Sequence, residues 1–147
     1  MVSLIQLVKN ASVSIEGSIV AAIELGVLAL VGFEKIDTEK TADELINRII
    51  HYRIFKDTNG KSNLNLKDVN GGLLLIPQFT LVADTRTGTR PGFSLGMLPQ
   101  EGKKLFEYLI ATAKNQYHTI ACGQFGAYMQ INLCNDGPVT YLLKSSY

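Results

Sequence analysis

The sequence predicts an α+β fold in which an antiparallel, barrel-like β-sheet packs against two helices. Alternating or β-branched runs favour strands near both ends of the chain, and two amphipathic segments between them have helical spacing. No internal repeat or linker-like stretch divides the sequence. A chain of 147 residues supports one hydrophobic core, so we expect a single domain over residues 1–147.

The first part of the chain favours strands. The residues from Ser12 to Glu16 alternate between polar and apolar side chains, and Gly17 interrupts this pattern. An apolar run rich in β-branched residues then extends from Ile19 to Phe33. These patterns predict two or three antiparallel strands.

The middle of the chain predicts a helix, a hairpin and a buried strand. Helical spacing is shown by Ala42, Leu45, Ile46, Ile49 and Ile50. A Thr41-x-x-Glu44 capping box precedes them. Asn59-Gly60 is typical of a hairpin turn, and the apolar residues 73–76 predict a buried strand that runs into Pro77.

The last part predicts a loop, a second helix and two more strands. Residues 83–94 are rich in Gly, Thr, Arg and Pro and predict an exposed loop. Pro99 favours the start of a helix whose apolar face carries Leu105, Phe106, Leu109, Ile110 and Ala113. Residues 127–133 alternate as in a strand with one buried face. Asn135-Asp136-Gly137-Pro138 predicts a turn into a final strand over residues 139–143.

Composition and charge exclude several classes of protein. The hydrophobic fraction of 46%, the charged fraction of 18% and the mean hydropathy of +0.13 suggest that part of the surface is hidden in an oligomer. The apolar residues 25–33 are too few to cross a bilayer, and the opening residues do not resemble a signal peptide, so we expect a cytoplasmic protein without a membrane partner. A net charge of +1 argues against coating a nucleic acid, so DNA is not an expected partner and RNA contact must be local.

Motifs of established catalytic and cofactor sites do not occur. The chain has no GxSxG, HExxH, P-loop or GxGxxG pattern, and we expect neither a cofactor nor a metal. The polar residues that could suggest chemistry have simpler interpretations as helix-end histidines, turn carboxylates and reduced, partly buried thiols; they are His51, His118, Asp57, Asp68, Asp84, Cys122 and Cys134. A cysteine-dependent enzyme is therefore a third hypothesis without a supporting motif.

Three segments have compositions that are unusual for purely structural elements. In residues 74–81 a buried strand ends in Pro77 followed by polar residues, which fits either a functional loop or an ordinary strand edge. In GTRPGFS, residues 88–94, Arg90 is suited to a phosphate contact or to solvent. In residues 125–140, Phe125 beside two small residues is suited to stacking on a base or to filling the core.

The strings PQFTL, GTRPGFS, FGAYM and NDGPVT, in this order and at these separations, resemble the D-aminoacyl-tRNA deacylase family, and the resemblance covers nearly the whole chain. It implies a homodimeric, barrel-like α+β fold with two active sites at the subunit interface. Gln78, Phe79 and Thr80 match the segment that lines the reaction centre in the family. Gly137 and Pro138 match a cis dipeptide that reaches into the partner's pocket and selects chirality.

The resemblance also implies a set of substrate-binding residues. Phe125, Gly126 and Ala127 match the segment that holds the terminal adenosine; the full set with chiral selection is Gly137, Pro138, Phe125, Gly126, Ala127, Met129, Asn135, Thr140 and Arg90. The chain departs from the family at Pro77, where a serine is usual. Proline supplies neither a hydroxyl nor a backbone N–H, so no serine-dependent step at that position is open to this chain.

The implied function is hydrolysis of the ester bond of D-aminoacyl-tRNA, a chirality-proofreading step, with glycyl-tRNA as a second possible substrate. Such an ester is already activated, so positioning and stabilisation of an oxyanion suffice without a strong nucleophile. We expect backbone N–H groups around Phe79 and Thr80 to polarise the carbonyl, and rank the Thr80 hydroxyl second. The alternative is a non-catalytic dimeric module that binds an RNA end or a nucleotide.

Overall fold

The computed structural model describes residues 1–145 and has an α+β fold. The strands are β1 (Val2–Ile15), β2 (Ser18–Ile23), β3 (Gly26–Gly32), β4 (Phe55–Lys56), β5 (Ser62–Leu64), β6 (Gly72–Pro77), β7 (Ile120–Cys122) and β8 (Gln130–Lys144). The helices are α1 (Glu39–His51), α2 (Leu66–Val69) and α3 (Pro99–Gln116), and a short 3-10 helix covers Phe79–Val82.

Six strands form one mixed sheet in the order β2-β1-β3-β6-β7, with β8 paired along β1. The β1–β2, β1–β3 and β1–β8 pairs are antiparallel, whereas β6 lies parallel to both β3 and β7. The prediction of an antiparallel sheet is therefore wrong for the β3–β6 and β6–β7 pairs. The segment with α1 and α2 joins β3 to β6, and α3 lies between β6 and β7, so both connections are long crossovers of the kind that parallel strands require. Because β2 also contacts β6 and β7, the sheet is nearly closed, as the predicted barrel-like form requires.

The helices cover one face of the sheet and form the larger core with it. From α1 the buried residues are Thr41, Ala42, Leu45, Ile46, Ile49 and Ile50, and from α3 they are Gly102, Leu105, Phe106, Leu109 and Ala113. The apolar stripes predicted for both helices are confirmed, except that Ile110 is only half-buried. The predicted capping box is displaced by one turn, because the N-cap of α1 is Thr38 and its reciprocal partner is Thr41.

A third helix, α2, was missed by the sequence analysis. It has only four residues and is capped by Asn65, whose side chain accepts from the backbone N–H groups of Lys67 and Asp68. Asp68 in turn accepts from the backbone N–H of Asn65 at 2.9 Å. The spacing of Asn65 and Asp68 was the one sign of this helix in the sequence, because a single turn is too short to show a helical pattern of apolar residues.

The C-terminal region is a single strand, where the sequence predicted two strands separated by a turn. Gln6 pairs with Thr140 and Val8 pairs with Asn135, so β8 advances five residues where β1 advances two. The three extra residues form a bulge that contains Gly137 and Pro138. The turn-forming residues therefore bulge within β8 and do not end it, because the residues on both sides of the bulge pair with β1.

The predicted buried face of this region is also wrong. Ala127, Met129 and Ile131 are only half-buried, Leu133 is exposed, and Leu143 is the one buried residue of β8. The apolar side of the strand lies at the edge of the sheet, where no helix covers it within residues 1–145. Among residues 1–145, no helix is both long and apolar enough to span a membrane.

The start of β1 is held by a buried ion pair. The α-amino group of Met1 donates to the carboxylate of Asp37, to Glu34 at 3.2 Å and to the Ser145 hydroxyl at 2.8 Å. Both side chains of the Met1–Asp37 pair are fully buried. The pair links β1 to the segment before α1 and to the residue that follows β8.

Candidate active site

A cavity of about 890 Å³ opens where the carboxyl end of β6 meets the start of α3. Its walls come from residues 76–79, from residues 93 and 96–99, and from residues 125–129. Phe33 and Lys35, which follow β3, complete one side. The volume is that of a small-molecule site, and the walls are mostly apolar with a few polar groups.

The segment Pro77 to Thr80 lies at the end of a fully enclosed strand. β6 is buried from Gly72 to Ile76 between β3 and β7, and Gln78 continues the pairing by donating its backbone N–H to the Val31 carbonyl at 2.7 Å. The chain then turns into the 3-10 helix Phe79–Val82. The rigid strand therefore fixes where this turn begins.

The polar groups of this turn are partly paired with one another. The Gln78 side-chain amide donates to the Thr80 hydroxyl at 2.5 Å. Within residues 1–145, the backbone N–H groups of Phe79 and Thr80 donate to no protein acceptor. Two consecutive N–H groups without acceptors beside a cavity are suited to stabilising a negatively charged oxygen.

Exposed aromatic rings lie around the cavity. Phe79 is 64% exposed and Tyr128 is 92% exposed, and the Phe79 ring lies 5.2 Å from the ring of Phe93. All three line the cavity. Such rings are suited to packing against the planar base of a nucleotide or an aromatic side chain of a ligand.

The segment from Phe125 to Met129 forms the opposite wall and is fitted closely to its neighbours. The Phe125 ring lies 6.2 Å from that of Phe106, and a Cβ added to Gly102 of α3 would approach Phe125 to 3.2 Å. A Cβ on Gly123 would lie only 2.7 Å from the Met129 sulfur. Gly126 adopts φ = 77°, which favours glycine. Glycine at positions 102 and 123 thus leaves the room that the side chains of Phe125 and Met129 occupy.

The structure brings together one group of the predicted site residues and leaves another group apart. Gln78, Phe79, Phe125, Gly126, Ala127 and Met129 line the cavity, and Thr80 is linked to them through Gln78. Gly137, Pro138, Asn135, Thr140 and Arg90 do not line the cavity of their own chain. The second group is entirely exposed, and four of its five members lie in or beside the β8 bulge.

The peptide bond between Gly137 and Pro138 is cis, the conformation that the resemblance implied. Arg90 lies in the exposed loop over residues 83–94 and forms no ion pair with any residue in 1–145. The ion pair of this loop is formed instead by Asp84 and Arg86, 2.6 Å apart. The side-chain hydrogen bond from Arg86 lowers the pKa of Asp84 to about 2.

Sequence reasoning did not single out several cavity residues. Tyr128 and Phe93 fall within the quoted strings but were not assigned roles, and nothing in the sequence indicated a site role for Lys35, Phe33, Met97 or Leu98. Their positions depend on pairing between distant segments: Lys35 donates its backbone N–H to the Leu95 carbonyl, and Met97 donates to the Phe33 carbonyl. No local pattern reveals such a pairing.

The other candidate polar residues have structural surroundings. Asp57 accepts from the N–H groups of Asn59 and Lys61, and the backbone hydrogen bond from Lys61 is the main cause of its lowered pKa. Cys122 is half-buried, whereas Cys134 is exposed, which corrects the prediction that both are partly buried. Residues 1–145 contain no cluster of three His, Cys, Asp or Glu side chains that could hold a metal ion.

Comparison with known proteins relates the chain to one family. The profile of a family described as D-Tyr-tRNA(Tyr) deacylase matches residues 4–144. Proteins named D-aminoacyl-tRNA deacylase from Stutzerimonas stutzeri and Pseudomonas fluorescens are 52% and 50% identical over 145 residues, which cover 99% of this chain and 100% of each relative.

Two solved structures have the same fold. A protein titled c-Myc DNA Unwinding Element Binding Protein superposes with a TM-score of 0.95 at 33% identity, covering 100% of both chains. A probable eukaryotic D-amino acid tRNA deacylase superposes with a TM-score of 0.86 at 13% identity over 97% of both chains and supports the fold alone. Given the match over nearly its full length, the chain belongs to the D-Tyr-tRNA(Tyr) deacylase family.

Proposed function

We propose that this protein hydrolyses the ester bond between a D-amino acid and the 3′ end of tRNA, the reaction named for its relatives. The observation that carries the proposal is the turn at Phe79 and Thr80 beside the cavity, where two consecutive backbone N–H groups are without acceptors in residues 1–145. The FGAYM segment, matched to adenosine binding, faces the same cavity.

The reaction requires little chemistry from side chains. Water attacks the ester carbonyl carbon, and the N–H groups of Phe79 and Thr80 stabilise the negative charge on the carbonyl oxygen. When the tetrahedral intermediate collapses, the bond from carbon to the ribose oxygen breaks, and that oxygen takes up the proton that the attacking water gives up. The free amino acid and a tRNA with its hydroxyl restored are released.

The substitution of Pro77 for serine is compatible with this mechanism. Pro77 pairs with Val31 in the parallel β3–β6 register, and Gln78 makes the next backbone hydrogen bond. The groups assigned to oxyanion stabilisation lie two and three residues further on. A serine hydroxyl at position 77 is not needed for them to act.

The site is completed by a second copy of the chain. β8 is a 15-residue edge strand with exposed Leu133 and Leu142, and its bulge presents Gly137 and Pro138 outside the cavity of their own chain. An exposed edge strand of this length offers unpaired backbone groups and apolar side chains to another chain. In a homodimer, the Gly137–Pro138 bulge of the second copy would enter the cavity, where its carbonyls accept from the substrate's α-ammonium group.

Selection of chirality follows from that arrangement. With the α-ammonium group and the ester carbonyl both fixed, only one hand of substrate directs its side chain into free space, and the L side chain meets backbone. Asn135 and Thr140 flank the bulge, and we assign them to holding it in position. Because the substrate is an aminoacylated tRNA, we place the protein in the cytoplasm.

The decisive experiment is to incubate the purified protein separately with D-tyrosyl-tRNA and L-tyrosyl-tRNA and to measure free tyrosine. We expect release from the D substrate alone. Equal release from both, or release from neither, would contradict the proposal. Tight binding of the tRNA end without hydrolysis would support the alternative of a non-catalytic RNA-binding module.

A further inference from the structure

One lysine differs from every other residue that lines the cavity. Lys35 is the single charged side chain among the cavity-lining residues in 1–145, and no carboxylate faces it there. The other polar side chains of the wall are the amide of Gln78 and the phenol of Tyr128. A lone cation on an apolar wall attracts an anion more strongly than the net charge of +1 would suggest.

Lys35 is also free to meet a ligand. It forms no ion pair with any residue in 1–145 and is exposed. The two nearest acidic residues in sequence, Glu34 and Asp37, are engaged by the α-amino group of Met1. Neither of these carboxylates forms an ion pair with Lys35 among residues 1–145.

The backbone around Lys35 is held against the cavity wall. Its N–H donates to the Leu95 carbonyl at 3.1 Å, the N–H of Met97 donates to the Phe33 carbonyl at 3.0 Å, and Glu34 forms a bridge with Gly96. These contacts fix the base of a long side chain whose end is in solvent. An ammonium group in this position reaches a ligand that extends out of the cavity.

We propose that Lys35 binds the phosphate on the 5′ side of the terminal adenosine of the substrate. This inference rests on the proposed function. In an aminoacylated RNA end the ester lies on the 2′ or 3′ side of the ribose and the phosphate on the 5′ side. If the ester is at Phe79 and Thr80, the phosphate leaves the cavity toward solvent, and Lys35 is the one cation on the wall that can meet it.

The test uses two small probes that differ only in this phosphate. Dissociation constants of adenosine and adenosine 5′-monophosphate are measured by calorimetry for the parent, Lys35→Ala and Lys35→Arg. A partly exposed charge pair gives a modest effect, so we expect the monophosphate to bind about fivefold tighter than adenosine in the parent. Lys35→Ala should bring this ratio close to one, whereas Lys35→Arg should retain it.

Lys114→Ala is the matched control. Lys114 lies twelve residues beyond Gly102, the last residue of α3 that lines the cavity, which places it roughly 18 Å along the helix from that residue. Its loss should leave the ratio as in the parent. Unchanged thermal unfolding of each variant establishes that the fold is retained.

The outcomes separate this inference from the proposed function. If the parent does not prefer the monophosphate, or if Lys35→Ala keeps the preference, the assignment of Lys35 is wrong. An equal loss of affinity for both probes would also overturn it, since Lys35 would then contact the nucleoside. Because neither probe is hydrolysed, failure of the D-tyrosyl-tRNA assay alone would count against the proposed function and leave the phosphate result standing.

The same variants report on the full substrate. Each phosphate neutralised on a single strand contributes about −0.7 to the slope of log binding against log salt. For D-tyrosyl-tRNA, Lys35→Ala should therefore reduce the magnitude of the slope of log kcat/KM by about 0.7, with Lys114→Ala unchanged. An unaltered slope in Lys35→Ala would contradict a direct phosphate contact.

Discussion

β1 and β8 are neighbours of nearly equal length, yet their surroundings differ completely. Eight of the 14 residues of β1 are buried, but only Leu143 of the 15 residues of β8 is buried. β1 has strands on both edges and helices on one face, whereas β8 forms the edge of the sheet. The difference teaches that β1 is stabilised within one chain, while β8 leaves apolar side chains such as Leu133 and Leu142 exposed, where we propose that a second copy packs.

Removal of apolar volume from β1 should have the largest effect on stability. Ile5 is fully buried in the larger core, so Ile5→Ala should lower the free energy of unfolding by about 2–5 kcal/mol. Denaturant unfolding measures this loss. Ile19→Ala is the control, because Ile19 is 69% exposed and its truncation should change stability little. Equal losses in the two variants would contradict the contrast between core and surface.

A charge on β8 should instead break the dimer. Leu142 is 55% exposed, and Leu142→Lys would bury an unpaired charge in the proposed interface, so we expect the dimer dissociation constant to rise by about 100-fold. Sedimentation velocity measures it. Leu25→Lys places the same charge on an exposed leucine in the turn between β2 and β3, outside β8, and should leave the dimer intact. If Leu142→Lys remains as dimeric as the parent, β8 is not the interface.

A pair of substitutions at the exposed Thr80 separates catalysis by its backbone N–H from catalysis by its hydroxyl. Thr80→Pro removes the N–H and should lower kcat/KM for D-tyrosyl-tRNA by about 100-fold or more. Thr80→Ala keeps the N–H and should cost less than about tenfold. The measurement is the rate of tyrosine release, with circular dichroism to verify folding. The reverse order of effects would assign catalysis to the hydroxyl.

The smallest effect is expected for the contribution of Tyr117 to stability at alkaline pH. Tyr117 is buried and donates to the carbonyls of Leu66 and Gly71, and burial raises its pKa above 10. Stability from this group is therefore complete below about pH 10 and is lost as the pH rises through the raised pKa.

Tyr117→Phe should lower the free energy of unfolding by about 1 kcal/mol at neutral pH and make its decline above pH 10 less steep. Thermal unfolding between neutral and alkaline pH tests both expectations. Tyr128→Phe, at a ring that is 92% exposed, is the control. An alkaline decline identical in the parent and Tyr117→Phe would show that Tyr117 does not control it.

The sequence alone predicted the parts of the fold that depend on local pattern. The apolar stripe from Ala42 to Ile50, the start of α3 at Pro99, the hairpin at Asn59-Gly60 and the buried strand that ends at Pro77 are all present. Each follows from a period, a cap or a turn within a few residues. The family also followed from short strings, because four of them occur in a fixed order.

Tertiary structure decided the rest, because it depends on which distant segments lie side by side. No local pattern could show that β3 and β6 pair in parallel, or that Asn135 to Pro138 would bulge within one strand instead of ending it. Pairing of residues 33–35 with residues 95–97 brought Lys35 to the cavity wall. The sequence determined which residues the family resemblance assigns to the site; long-range hydrogen bonds and packing decided that Gln78 and Phe125 share a cavity while Gly137 and Pro138 lie outside it.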